Sequence, residues 1–476
     1  MLYGRRTARG ATLLSGHQML KPSRLLPLVL TAAIALAVPA GAGAEVRAGA
    51  AAAGAGYAPG EVVVRYARGA DQAAVERAAG IGGARTVAPR TRVLRIRDGE
   101  SVADTVRELR ALPEVATAAP NATARIADFI PSDPGNAGVA GGWQQLQWNF
   151  LAGAGVNAPG AWQHLIDAGQ PGGRGVVVAV LDTGVAYSTR RRFRKSTDFR
   201  RADFVRGHDF VDGDKFPHDE NGHGTHVAST IGESTHNNRG VTGLAYGAKI
   251  MPIRVLNARG EGDTPAIASG IRYAVRHGAD VINLSFEFDD RFRQYSASEI
   301  PDVLAAVRFA RRRGSVVIGA AGNEGPLIAY PARAAQVLAV GATTITGCEA
   351  AYSNAGKDLD VVAPGGGLDA VNTRSQWDVD HCTRKIPGKP IIQQTFTRDG
   401  WVRSFGLRGP LYKGTSMASP HVAAIAALVI ATGRLGPDPT PEMVEDHIKA
   451  TSRDAGVPGF DPYYGYGIVD AAAALR

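Results

Sequence analysis

The stretch "GVVVAVLD", residues 175–182, is an apolar run that ends in a single acidic residue. Five similar runs follow it, separated by segments in which apolar residues have helical spacing. These runs are "KIMPIRVL" at 249–256, "DVINLSF" at 280–286, "SVVIGAAGN" at 315–323, "VLAVGAT" at 337–343 and "LDVVAP" at 359–364. Buried apolar strands joined by helices predict an α/β fold, with a doubly wound, mostly parallel sheet and helices on both faces.

Two of these runs end in a polar residue, Asp182 in the first and Asn323 in the fourth. In open parallel sheets, ligands meet the carboxyl ends of the strands. We therefore expect Asp182 and Asn323 to lie at a functional site.

The net charge of the 476-residue chain is +9, but most of that charge lies near the N-terminus. Residues 1–44 carry five Lys and Arg and no acid, and residues 45–126 carry 12 Arg against nine Asp and Glu. The remaining 350 residues therefore account for only +1. A nearly neutral main body argues against nucleic acid as a partner.

The N-terminus has the pattern of a secretory signal peptide. Residues 21–44, "KPSRLLPLVLTAAIALAVPAGAGA", begin with basic residues, continue with an apolar run and end in small residues. We expect cleavage after Ala44, secretion, and no stable membrane association afterwards; the alternative is an uncleaved anchor. Met19 directly precedes this unit and is a candidate for the true start.

A linker rich in Ala and Gly, residues 45–56, leads to a compact segment at 57–126. The segment is predicted to contain two helices and three strands, and Ser101 is placed to cap the second helix. We therefore expect a small α+β domain. It contains no cluster of His, Cys or acidic residues that would suggest a site of its own.

The stretch "DENGHGTHVAST", residues 219–230, places two histidines one turn apart. A zinc helix would carry a Glu between the histidines, whereas this stretch has Gly, a poor helix former. The glycines instead allow a sharp turn that presents His223 at the start of a helix. His223 is therefore predicted to act as a base, and His226 to be a packed structural residue.

A histidine base needs a nucleophile and an orienting carboxylate. Asp182 in "AVLDTGV" provides a carboxylate, and Ser416 in "GTSMASPHVAAIAALVIA" lies at the start of a long apolar helix. The N–H groups and partial positive charge of a helix start can hold an anion beside that serine.

Together, "DTGV", "NGHGTHVA", "AAGNEG" and "GTSMASPHVA" occur in the order found in subtilisin-like serine proteases. The resemblance covers residues 130–476 and implies a subtilisin-like fold and a serine endopeptidase acting on extended polypeptides. It makes 127–476 the catalytic domain and 57–126 a ferredoxin-like propeptide, which assists folding and then occupies the active site in cis. A separate binding module is the alternative for 57–126. A catalytically silent binding protein and a serine esterase are the alternatives for the whole chain.

In the reaction that this resemblance implies, Ser416 is the nucleophile and His223 removes its proton. Asp182 holds the imidazole in the right tautomer. The oxyanion is stabilised by the side-chain amide of Asn323 and by the backbone N–H of Ser416.

The resemblance also implies two strand-like edges that bind substrate, "GEG" at 260–262 and "SFE" at 285–287. The substrate-binding residues that it assigns are Gly260, Gly262, Ser285, Phe286 and Ala329, the last at the floor of the primary pocket. Glu287 and Phe286 replace a Gly-rich turn that is common in the family, which leaves side-chain specificity unpredicted. Glu324 is a candidate for favouring a basic side chain at the pocket rim.

Three acids, Asp209, Asp212 and Asp214, lie within six residues just before the catalytic histidine. So many carboxylates repel one another unless a cation or several donors lie between them, and oxygen ligands suit calcium. A solvated acidic turn is the alternative. Calcium is the expected cofactor, because some calcium-stabilised members of the family share this spacing; no organic cofactor is expected. A second set matches family ligand positions and consists of Asp133, Asp198 and Asn237.

The chain contains two cysteines, Cys348 and Cys382. Export to an oxidising compartment favours a disulfide between them. We expect the mature protein to be a monomer.

Overall fold

The computed structural model describes residues 57–97, 99–122, 129–288, 293–324, 326–370, 382, 387–397, 402, 404–408 and 412–476. The chain forms two compact units, Met1–Arg125 and Ile126–Arg476. The predicted signal peptide, residues 1–44, and the predicted linker, residues 45–56, lie outside the described residues.

The described part of the first unit is an antiparallel four-stranded sheet with two helices in the order β1-α1-β2-β3-α2-β4. Its elements are β1 (Tyr57–Tyr66), α1 (Gln72–Ala78), β2 (Gly83–Ala88), β3 (Thr91–Arg95), α2 (Val102–Arg110) and β4 (Val115–Ala122). The strand order β2-β3-β1-β4 is that of a ferredoxin-like fold, as predicted. Ser101 caps α2 by accepting a hydrogen bond from the N–H of Asp104. Strand β2 was not predicted because all its residues are exposed and show no apolar alternation.

The described part of the second unit contains a seven-stranded sheet in which all neighbouring strands are parallel. In spatial order its strands are β11 (Val361–Pro364), β10 (Leu338–Thr343), β9 (Val316–Ala320), β8 (Val281–Leu284), β5 (Val177–Asp182), β7 (Lys249–Arg254) and β6 (His208–Asp209). A separate antiparallel pair is formed by β12 (Gln393–Phe396) and β13 (Phe405–Arg408).

The helices of this unit cover both faces of the sheet. They are α3 (Ala158–Asp167), α4 (His223–Gly232), α5 (Thr264–Arg276), α6 (Pro301–Arg312), α7 (Thr415–Thr432), α8 (Pro441–Thr451) and α9 (Ala471–Ala474). Side chains alternate between the faces along β5. Val178 and Val180 pack in a core with α4 and α7, whereas Ala179 and Leu181 pack in a core with α5 and α6. The predicted doubly wound α/β architecture is confirmed.

Helix α7 passes through the larger core. It is long and apolar enough to cross a membrane by composition, but most of its residues are buried inside the unit. A helix that is apolar on every side is expected in such a position. Its first turn, which carries Ser416, is thereby held firmly beside the sheet.

The predicted disulfide is present. Cys348 and Cys382 are bonded, with their Cα atoms 5.7 Å apart. The bond joins positions 34 residues apart in the sequence.

Candidate active site

Three secondary-structure ends bring the predicted catalytic residues to one edge of the sheet. Asp182 is the last residue of β5, His223 the first of α4 and Ser416 the second of α7. Gly224 allows the close approach of α4 to β5, because a Cβ atom there would lie 2.2 Å from the Gly184 carbonyl oxygen and 3.0 Å from the Asp182 side chain. Gly224 therefore has a steric role.

Asp182 and His223 form a close pair. His223 Nδ1 lies 2.8 Å from Asp182 Oδ1 and 3.0 Å from Oδ2. The Thr183 N–H donates a second hydrogen bond to Asp182 Oδ1. Burial lowers the His223 pKa, but the charge and hydrogen bond of Asp182 raise it, and the net pKa lies above the usual histidine value. With its proton on Nδ1, the neutral ring leaves Nε2 free to accept a proton.

Ser416 is hydrogen-bonded to the neighbouring strand end. Its Oγ donates to the carbonyl oxygen of Ser285 at 3.0 Å. Among the hydrogen bonds of the described residues, none joins Ser416 to His223. Rotation about the Cα–Cβ bond of Ser416 would redirect its hydroxyl. Catalytic hydrogen bonds are often long or poorly aligned before substrate binds.

Asn323 is fixed in orientation by the start of α7. The N–H of Thr415 donates to Asn323 Oδ1 at 2.9 Å, and the Thr415 hydroxyl donates to the same oxygen at 3.2 Å. Because a backbone N–H requires an acceptor, the amide oxygen must face Thr415 and Nδ2 must face away. Nδ2 donates to Glu287 Oε1 at 3.2 Å.

His226, the second histidine of the motif, is fully buried. Its ring stacks on Tyr412 with centroids 4.1 Å apart, and its Nε2 lies 3.1 Å from the Ile391 carbonyl oxygen. These contacts agree with the packed structural role predicted for it.

Residues 173–467 match the model of the subtilase family, and residues 43–121 match that of the fervidolysin N-terminal prodomain. The chain belongs to the subtilase family.

Known subtilases are about one third identical to it over the aligned residues. The chain is 36% identical over 305 residues to M-protease of Shouchella clausii (strain KSM-K16) and to Subtilisin Savinase of Lederbergia lenta. Each match covers 64% of this chain, but it covers 65% of M-protease and 92% of Savinase. A solved structure titled "Proteases from Pseudoalteromonas arctica PAMC 21717" has 31% identity and a TM-score of 0.56, covering 73% of this chain and 99% of that chain.

The two predicted substrate edges of this subtilase lie on either side of Asp182. The segment at 260–262 follows β7 and the segment at 285–287 follows β8, and these strands flank β5. Gly262 permits a tight turn, because a Cβ atom there would lie 2.3 Å from the Val255 carbonyl oxygen. Gly260 lies in the same turn, and its N–H donates to the Asn257 carbonyl oxygen.

Three other predicted substrate residues are placed mainly by packing. Ser285 Oγ donates to the Ser416 carbonyl oxygen at 2.9 Å and so joins β8 to the start of α7. The Phe286 side chain lies in the core beside α5 and α6, which leaves only its backbone for substrate. Ala329 is fully buried and donates its N–H to the Ala321 carbonyl oxygen. The assignment of these residues to substrate binding stays a prediction.

The acidic turn before His223 is balanced by an arginine. Arg254 Nη1 lies 2.9 Å from Asp209 Oδ2 and 2.7 Å from Asp212 Oδ2. Asp214 instead accepts a hydrogen bond from the N–H of Phe216. The repulsion that suggested calcium is thus offset by a nearly buried guanidinium. Within the described ranges, no group of three or more His, Cys, Asp or Glu side chains is arranged to hold a metal ion.

The second predicted calcium set does converge. Asp133 accepts hydrogen bonds from the N–H groups of His236 and Asn237, and Asn237 Nδ2 donates to Asp198 Oδ1 at 2.7 Å. Asp198 Oδ2 is buried without a hydrogen-bond partner, and burial raises the Asp198 pKa to about 7. As placed, Asn237 presents its amide nitrogen to Asp198, and its oxygen accepts a hydrogen bond from the N–H of Arg239 at 2.8 Å. Both hydrogen bonds must break before that oxygen can bind a cation.

Sequence analysis missed a third carboxyl in this cluster, that of Glu233 at the end of α4. The side chain is fully buried, and neither of its oxygens has a partner with good hydrogen-bond distance and angle, although the Gln394 N–H and the Ser229 hydroxyl lie near enough to lower its pKa. Burial and the nearby charge of Asp198 raise the Glu233 pKa well above its usual value. Two buried carboxyls with unpaired oxygens fit a hard cation such as calcium. The sequence signal that could have identified Glu233 is an acidic residue at the end of a buried helix.

Proposed function

We propose that this subtilase is a secreted serine endopeptidase that cleaves extended polypeptides through an acyl-enzyme on Ser416. The observation that carries the proposal is the buried Asp182 carboxylate 2.8 Å from His223 Nδ1, at the same sheet edge as Ser416 and Asn323. The family match and the fervidolysin-like prodomain support it.

In the proposed reaction, the Ser416 hydroxyl leaves the Ser285 carbonyl oxygen and turns toward His223 Nε2. His223 takes the proton as Ser416 Oγ attacks the peptide carbonyl carbon, and Asp182 stabilises the imidazolium that forms. Asn323 Nδ2 and the Ser416 N–H donate to the oxyanion. His223 then gives its proton to the leaving amine. Water then attacks the acyl carbon while His223 takes a proton from it. The second tetrahedral intermediate expels Ser416 Oγ, which receives that proton from His223 as the acid product is released.

The N-terminal unit is proposed to be a propeptide that the enzyme removes itself. We place the cut between about Ala124 and Pro131, after export and loss of residues 1–44. The match to a fervidolysin N-terminal prodomain supports a propeptide over an independent binding module. The mature product is proposed to be a monomer outside the cell, with polypeptide substrates and its own propeptide as partners.

Calcium is proposed to stabilise the fold at the cluster of Asp198, Glu233 and Asn237. Bound there, the cation would neutralise carboxylates that burial otherwise disfavours in their charged form. Asp133 would position the Asn237 loop through its two backbone hydrogen bonds. No catalytic step involves the ion.

Turnover of unfolded protein, compared with that of small esters, tests the proposal. A peptidase degrades the protein with high kcat/KM, whereas an esterase hydrolyses only the esters. A fluorophosphonate probe should label the wild type and Ser298→Ala, an exposed serine outside the site, but not Ser416→Ala. Absence of labelling in the wild type would indicate a silent binding protein.

A further inference from the structure

The proposed oxyanion donor already has an anionic partner within the chain. Asn323 Nδ2 donates to Glu287 Oε1 at 3.2 Å. The Asn323 backbone N–H points at the same carboxylate, 3.1 Å from Oε1 and 3.2 Å from Oε2. Glu287 therefore occupies a donor that the tetrahedral intermediate needs.

Turning the Asn323 amide cannot relieve this competition. Two donors from Thr415 hold the amide oxygen, and a turned amide would place Nδ2 against the Thr415 N–H. The carboxylate itself must move before the oxyanion can bind. The Glu287 side chain is only partly buried, which leaves it room to do so.

The carboxylate also lies at the predicted primary pocket. A Cβ atom at Gly322, whose φ is +110°, would be 2.5 Å from Glu287 Oε2 and 3.0 Å from Ala329 Cβ. The N–H of Phe288 donates to the Tyr330 carbonyl oxygen at 2.9 Å. This hydrogen bond joins the two segments that line the predicted pocket, one residue after Glu287. A substrate side chain that enters between the ends of β8 and β9 would meet Glu287 directly.

We propose that Glu287 is a specificity-determining residue that selects a cationic side chain, Lys or Arg, on the substrate residue whose carbonyl is attacked. The inference rests on the proposed peptidase function. A cationic side chain offers the carboxylate a charge-assisted partner that draws it away from Asn323. An apolar side chain offers no partner and removes water from the carboxylate. Binding of the preferred side chain thereby frees the oxyanion donor.

Two peptides that differ only at this residue, lysine against norleucine, test the idea with the mature enzyme. Wild type should cleave the lysine peptide with a kcat/KM about 10-fold to 100-fold higher, the range expected for one charge-assisted hydrogen bond. Glu287→Gln should slow cleavage of the lysine peptide and speed that of the norleucine peptide, because its neutral amide competes less for Asn323. Glu324→Gln removes the other candidate acid at the pocket rim and should keep the preference if Glu287 is the selecting residue. The matched control is Glu442→Gln, which neutralises an exposed glutamate on α8.

Equal cleavage of both peptides by wild type, or an unchanged preference in Glu287→Gln, would overturn the proposal. Loss of the preference in Glu324→Gln alone would assign the selection to Glu324 instead. Fluorophosphonate labelling of Glu287→Gln shows that its Ser416 is folded and reactive. If wild type is neither labelled nor able to digest any peptide, the proposed function itself fails, a result distinct from the loss of selectivity.

Discussion

His223 Nδ1 lies 2.8 Å from Asp182 Oδ1, although the Asp182 side chain is 0% exposed and that of His223 is 26% exposed. The buried carboxylate can therefore act on the ring without itself meeting solvent. Its hydrogen bond fixes the proton on Nδ1 and directs Nε2 toward the open side of the site. The same pair sets the pH range in which the base is available.

The pH dependence of kcat/KM should reflect the His223 pKa, which Asp182 raises against the lowering effect of burial. His223 must be neutral to accept a proton, so activity is lost as the pH falls through this pKa. We expect an apparent pKa at or above the usual value of about 6.5. Peptide cleavage between pH 5 and 10 provides the measurement. Asp182→Asn should lower kcat by about 10⁴-fold, while His277→Gln, an exposed histidine on a distant helix turn, should leave the profile unchanged.

Removal of the nucleophile should block maturation. Ser416→Ala cannot form an acyl-enzyme, so it should accumulate as a precursor of about residues 45–476. Mass spectrometry of protein purified from a protease-deficient host checks this result. Ser298→Ala should mature normally. Normal processing of purified Ser416→Ala would show that another protease removes the propeptide.

Asn323→Ala should lower kcat by about 100-fold to 1,000-fold with little change in KM, the loss typical of one missing oxyanion donor. Thr415→Val removes one of the two bonds that orient the amide and should cost less than removal of the donor itself. Steady-state kinetics on one peptide, with unfolding midpoints for all three proteins, separate the effects. A change mainly in KM would mean that Asn323 binds the substrate before the chemical step.

The sheet and the placement of the proposed catalytic residues were predictable because the sequence marks them locally. Apolar runs end at Asp182 and Asn323, and glycines precede the helices that carry His223 and Ser416. Strand β2 carries no such mark, since its residues are exposed on both faces. Pairing with β3, rather than its own pattern, makes it a strand.

Contacts between distant side chains were not predictable. Arg254 lies on β7, more than 40 residues after Asp209 and Asp212, and only the parallel pairing of β6 with β7 brings it to them. Glu287 was noted because it replaces part of a Gly-rich turn, but its reach to Asn323 depends on a rotamer and on the neighbouring strand β9. The unpaired oxygens of Glu233 become apparent only when the packing around α4 is known.

Calcium should stabilise the mature enzyme most strongly at neutral and alkaline pH. The pKa of Asp198 is raised to about 7, and that of Glu233 is also raised, so the folded state without a cation binds more protons than the unfolded state. The stability contributed by these groups is present below the unfolded pKa of about 4 and is lost as the pH rises through the folded values. A bound cation replaces the protons and restores that stability.

We therefore expect chelator to lower the unfolding midpoint more at pH 8 than at pH 5, and calcium but not magnesium to restore it. At a hundredfold excess over Kd, binding to the folded state alone adds about 2.7 kcal/mol. Asp198→Asn should abolish most of this response. Asp212→Asn should retain it, because Asp212 is already paired with Arg254. Loss of the response in Asp212→Asn alone would mean that calcium binds at the acidic turn, 209–214. An unfolding midpoint that does not change with chelator in any variant would exclude calcium from both clusters.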